Sequence, residues 1–196
     1  KIYWVQMSTL YGAQGDYEKA LAFLQLANRQ GMLTEDEEVR RLAQLMLARD
    51  VPHPAALLLE QAFAEKRTKE DANSFELLST AWIQARDFDK ALAPLARAAE
   101  LAPDGKLSVR LAQVHLQREE WKEAEAALRI AMDKGGLPGP GGAQVLMGIV
   151  YFSEKRPQEA LSWFARAREF QPTREERRKT RVALDLREQR AQLRAR

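Results

Sequence analysis

Arg86-Asp87-Phe88-Asp89-Lys90-Ala91-Leu92 is a phrase that this chain repeats, and its recurrence decides the fold. It consists of a polar residue or glycine, an aromatic, two polar residues, then Ala-Leu or a near equivalent. Copies stand at Gly15-Asp16-Tyr17-Glu18-Lys19-Ala20-Leu21 and at Glu119-Glu120-Trp121-Lys122-Glu123-Ala124-Glu125. Weaker ones are Lys155-Arg156-Pro157-Gln158-Glu159-Ala160-Leu161 and Asp50-Val51-Pro52-His53-Pro54-Ala55-Ala56. With the alanine as ruler the copies fall at Ala20, Ala55, Ala91, Ala124 and Ala160, spaced 35, 36, 33 and 36 residues apart. A fixed period of this length marks a stack of identical supersecondary units rather than one irregular domain.

Other positions keep phase with the ruler. Small residues recur at Ser8, Ala43, Ser79, Ala112 and Gly148, and again at Ala27, Ala62, Ala98, Ala131 and Ala167. Bulky residues recur at Tyr11, Met46, Trp82, His115 and Tyr151, and at Leu24, Leu59, Leu95, Leu128 and Phe164. A further slot holds Trp4, Val39 and Phe75, then turns polar at Ser108 and Gln144. The small positions let two antiparallel helices approach, and the bulky ones fill the space between successive pairs. These slots and the period resemble the tetratricopeptide repeat (TPR), a 34-residue helix–turn–helix unit. The resemblance covers about residues 1–172. It implies an all-α fold, an α-α superhelix (TPR solenoid) of five helix–turn–helix repeats.

The repeats run at about 1–34, 36–69, 72–104, 105–137 and 141–172. The pattern predicts helices over 2–14, 17–30, 36–48, 53–66, 71–85, 88–101, 104–118, 121–134, 141–154 and 157–170. Glycine and proline punctuate them, most densely over 135–142, the best hinge candidate. Thr173 and Glu176 form a capping-box pattern, so residues 173–196 read as a basic C-terminal capping helix with a thin stripe of Val182, Leu186 and Leu193.

Composition excludes several functions. Apolar residues make up 45% and charged ones 30%, enough for a core and a solvated surface. Cysteine is absent, which rules out disulfides and thiolate metal sites. No apolar run approaches the ~20 residues of a membrane span. The net charge of +3 lies in the tail, where nine Arg or Lys face four Asp or Glu. The body is therefore near neutral and is not expected to bind nucleic acid. A basic tail offers nucleic acid or anionic lipid binding as a lesser alternative. Only two histidines are present, and the glycines at 135–142 lack a P-loop ending. The chain reads as a non-enzyme with no catalytic residues, no metal site and no cofactor. His115 is expected to pack between helices and His53 to be exposed. Trp4, Trp82 and Trp121 are expected in the core, with Trp163 near the surface.

The TPR resemblance implies a concave groove lined by first helices that binds a protein or peptide segment. By register its residues are Arg40, Gln44, Asn73, Glu76, Thr80, Lys106, Val109, Arg110 and Gln113. Arg40, Gln44, Lys106 and Arg110 occupy slots that hold a C-terminal carboxylate in chaperone-binding TPR domains, although Leu77 replaces the central Asn of that clamp.

Three phrases are more particular: Lys1-Ile2-Tyr3-Trp4-Val5-Gln6-Met7-Ser8, Leu42-Ala43-Gln44-Leu45, and Asp133-Lys134-Gly135-Gly136-Leu137 before Gly148-Ile149-Val150-Tyr151. They resemble bacterial TPR proteins that accompany TonB–ExbB–ExbD energy transduction. That resemblance implies a periplasmic accessory of TonB-dependent transport with a TonB-system component as partner. The competing reading is a TPR adaptor in envelope biogenesis, secretion or a cytosolic complex. The chain opens at Lys1 rather than Met and is expected to be a processed or truncated piece.

Overall fold

The structure, a computed structural model, describes residues 2–137, 139 and 141–169. The described residues form ten α-helices and no strand: α1 (Ile2–Ala13), α2 (Tyr17–Arg29), α3 (Asp36–Ala48), α4 (Pro52–Ala64), α5 (Ala72–Gln84), α6 (Phe88–Leu101), α7 (Lys106–Gln117), α8 (Trp121–Lys134), α9 (Gly142–Ser153) and α10 (Pro157–Glu169). Each lies within two residues of its expected bounds. The expected capping helix at 173–196 lies outside the described residues.

Within a pair the turn is the same each time, and the recurring phrase encodes it. Its first residue takes a left-handed backbone conformation, with φ of 79° at Gly15, 57° at Asp50, 61° at Arg86, 60° at Glu119 and 62° at Lys155. The next N–H then reaches back to the carbonyl of the bulky slot in the preceding helix. Asp16 donates to Tyr11, Val51 to Met46, Asp87 to Trp82, Glu120 to His115 and Arg156 to Tyr151, at 2.9–3.0 Å. This left-handed C-terminal cap satisfies carbonyls that a helix end otherwise strands. Aspartates begin three helices as caps: Asp16 accepts from the Lys19 N–H, Asp71 from Ser74 and Asp87 from Lys90.

The chain divides into two compact units between Gly136 and Leu137. In the first, α1–α8, each helix packs on its neighbours in sequence, and α3 also meets α5 directly. The ruler alanines Ala55, Ala91 and Ala124 are wholly buried, as are Leu24, Leu59, Leu95 and Leu128. Trp82 is wholly buried too, and its Nε1 donates to Glu60 at 3.1 Å. Trp4 and Trp121 are only half-buried. Polar ties join successive pairs. Lys134 Nζ donates to the carbonyls of Ala99 (2.6 Å), Glu100 (3.0 Å) and Ala102 (2.9 Å) at the end of α6. Gly105 begins α7 against the backbone of Ala131, where a Cβ would overlap the Ala131 carbonyl.

In the second unit, α9 and α10 form the fifth pair. Gly148 abuts the Phe164 ring so closely that a Cβ there would overlap it. Trp163 is half-buried, stacked on Tyr151 at 6.4 Å, with the Arg166 guanidinium over its ring at 4.6 Å. Ser108 and Gln144, the polar residues in the bulky slot, carry Oγ and Oε1 atoms with no hydrogen-bond partner among the described residues.

Candidate functional site

First helices α3 and α5 enclose an open cleft of about 420 Å³ lined by Glu37, Arg40, Gln44, Asn73, Glu76, Leu77 and Thr80. Helical spacing explains the set. Glu37, Arg40 and Gln44 lie at i, i+3 and i+7 on α3, and Asn73, Glu76, Leu77 and Thr80 lie on one stripe of α5. Five expected groove residues thus share one cleft: Arg40, Gln44, Asn73, Glu76 and Thr80. Lys106, Val109, Arg110 and Gln113 lie on α7 and do not line it. Glu37 was not expected; its place three residues before Arg40 is the signal that would have found it.

The electrostatics differ from the clamp-like expectation. Arg40 Nη2 lies 3.1 Å from Asp36 and 3.0 Å from Glu37, and Nη1 lies 4.0 Å from Asp71. Arg110 faces Glu76 at 3.7 Å, and Lys106 faces Asp104 at 2.8 Å. Every cation in the clamp-like slots therefore has a carboxylate of this chain beside it. Asp36 and Asp104 lie beside their cations in sequence, at helix starts where acids suit the positive end, whereas Asp71 and Glu76 reach Arg40 and Arg110 from a different repeat. Burial pushes the Asp71 carboxyl up, but the Ser74 N–H and the charges of Arg40 and Lys69 bring it below its ordinary value. Thr80 Oγ1 donates to the Glu76 carbonyl at 2.7 Å. The side-chain amides of Gln44 and Asn73 have no partner among the described residues, which leaves them as the free donors and acceptors of the cleft.

The histidines serve structure. His115 Nδ1 lies 2.6 Å from Glu120, whose other oxygen accepts from Arg118 Nε at 2.7 Å. The hydrogen bond to His115, then that to Arg118, holds the Glu120 carboxyl below its ordinary value. His53 is exposed and packs edge-on against Trp82 at 5.5 Å. Among the described residues no three His, Asp or Glu side chains are grouped to hold a metal ion, and no helix is long and apolar enough to cross a membrane.

Paired helices of this register, with a cleft on the first-helix side, define a tetratricopeptide-type α-α solenoid. Residues 109–175 match the tetratricopeptide repeat family. Among solved structures the chain is similar to the MamA protein, with 18% identity over 86% of this chain and 90% of that one and a TM-score of 0.73. It is also similar to YrrB, described as a TPR protein with an unusual peptide-binding site. There the identity is 19% over 91% of this chain and 90% of that one, and the TM-score is 0.70. At such identities the likeness shows the fold. No curated protein matches the sequence.

Proposed function

We propose that this chain is a binding scaffold, not an enzyme, and that its first-helix surface holds an extended peptide or protein segment. The observation that carries the reading is the α3–α5 cleft, where Gln44 and Asn73 present unpartnered amides from two different helices. Amides there can hold a peptide backbone, which asks for both donors and acceptors. The peptide-binding site for which YrrB is described, on a similar fold, supports the same reading. The paired state of Arg40, Arg110 and Lys106 argues against capture of a bare C-terminal carboxylate at those residues.

The test is capture of a partner, followed by its titration into Gln44→Ala, Asn73→Ala and the double variant. Each lost hydrogen bond should weaken binding by about 0.5–1.5 kcal/mol. A dissociation constant unchanged in the double variant, with the helical fold intact, would exclude this cleft. The finer assignment, a periplasmic partner of TonB–ExbB–ExbD transport, rests on the sequence phrases alone. Capture from an envelope extract tests it: recovery of TonB-system proteins supports it, and recovery of an unrelated complex replaces it.

A further inference from the structure

Beside the α3–α5 cleft lies a second one, bounded by α1, α2 and α3, of about 500 Å³. We propose that it is an anchor pocket for an apolar side chain of a bound peptide whose adjoining residue is acidic, and that Arg41 pairs with that acid. The proposal rests on the peptide-binding reading above and names the chemistry of the peptide.

The floor is built of small and aliphatic groups, chiefly Gly12, Ala13, Ala20, Leu45 and Ala48, and no lining residue is acidic. Gly12 adds no side chain to this floor, and the nearest atom that a Cβ there would meet is Ala20 Cβ, at 4.0 Å. At the rim stands Arg41. Its neighbour Arg40 is surrounded by three carboxylates, whereas Arg41 Nη1 donates to the hydroxyl of Thr9 at 2.9 Å and forms no ion pair among the described residues. Thr9 Oγ1 in turn donates to the Val5 carbonyl at 2.9 Å, which fixes the hydroxyl and so aims the guanidinium. An exposed guanidinium with donors to spare recruits a carboxylate in a forked pair.

One further group suits a peptide. Gln44 lines both clefts, so its free amide stands where a chain would cross from one to the other. An apolar floor with one cation at its rim fits a hydrophobic–acidic dipeptide better than a phosphate backbone, which calls for several cations.

The experiment titrates the whole ¹⁵N-labelled chain with the blocked peptide Ser-Gly-Leu-Asp-Gly-Ser and follows amide and arginine side-chain signals. The expected result is shifts at Gly12, Leu45 and the Arg41 side chain. Binding should weaken by about fivefold or more when the probe's Asp becomes Asn or its Leu becomes Ser. Arg41→Gln should bind the Asp and Asn probes alike, and Ala48→Leu should fill the pocket and abolish the shifts. Probe substitutions on the unmodified protein decide the matter even if a variant misfolds. Shifts confined to Asn73, Glu76 and Thr80, indifferent to Leu or Asp, would overturn the anchor while leaving the peptide reading intact. Silence toward every probe would overturn both. A short thymidine oligomer that moves Arg41 while the peptide does not would replace the peptide with nucleic acid.

Discussion

Nη2 of Arg40 lies 3.1 Å from Oδ2 of Asp36, one turn earlier on α3, and both side chains are mostly withdrawn from solvent. With Glu37 and Asp71 also at hand, this guanidinium joins the starts of two successive repeats. Arg40→Glu would set four acids together and leave Lys69 as the cation that acts on Asp71. It should lower stability by roughly 1–3 kcal/mol, below the cost in a fully buried site because water still reaches the group. Urea unfolding checks this. A variant as stable as the parent would show that the acids do not depend on Arg40.

Gly105 and Gly12 should respond oppositely to alanine. Gly105→Ala drives a Cβ into the backbone of Ala131, which cannot swing aside as a side chain would, and should cost about 1–3 kcal/mol. Gly12→Ala meets only an ordinary contact inside α1 and should stabilise by up to ~1 kcal/mol. Comparing the two unfolding midpoints tests the packing of α7 on α8 against helix propensity alone.

The left-handed turn positions supply another matched pair. Gly15→Val places a β-branched residue at φ 79° and should cost roughly 1–2 kcal/mol. Arg86→Gly relieves the same strain at φ 61° and should gain up to ~1 kcal/mol, less the greater freedom of glycine in the unfolded chain. Thermal melts of the two variants read both signs.

Lys134 ties α8 to the end of α6 through three carbonyls. Lys134→Met keeps the stem but strands those acceptors, and should cost about 1–3 kcal/mol. Hydrogen exchange should show the loss first at the N–H of Ala102, whose acceptor is Ala98 at 2.9 Å.

Acid should erase the benefit of the aspartate caps. The Lys90 backbone N–H, with the Lys90 side chain adding to it, holds the Asp87 carboxyl below its ordinary value. A carboxyl lowered by folding stabilises the fold above its unfolded pKa of about 3.9, and that contribution is lost as pH falls through the lower folded value. Asp87→Ala should therefore melt a few degrees lower at neutral pH, with the gap closing below about pH 4. A gap that persists in acid would assign the loss to something other than the ionised cap.

The ten helices and their pairing were legible because each repeat must bury the same slots. Ala20, Ala55, Ala91, Ala124 and Ala160 can hardly be larger when two helices touch there, so their period survives in the sequence. The face that lines the cleft was legible for the same reason, since helical spacing fixes which residues share a stripe. The state of the charges on that face was not. Arg40 and Arg41 are adjacent and identical in sequence, yet among the described residues one is enclosed by three carboxylates and the other bonds to the hydroxyl of Thr9. Asp71 reaches Arg40 from the next repeat, and Thr9 reaches Arg41 from the one before. Repeat periodicity specifies which residues face inward, but ion pairing depends on distances of a few ångströms between side chains far apart in the chain, and those distances exist only once the helices have stacked.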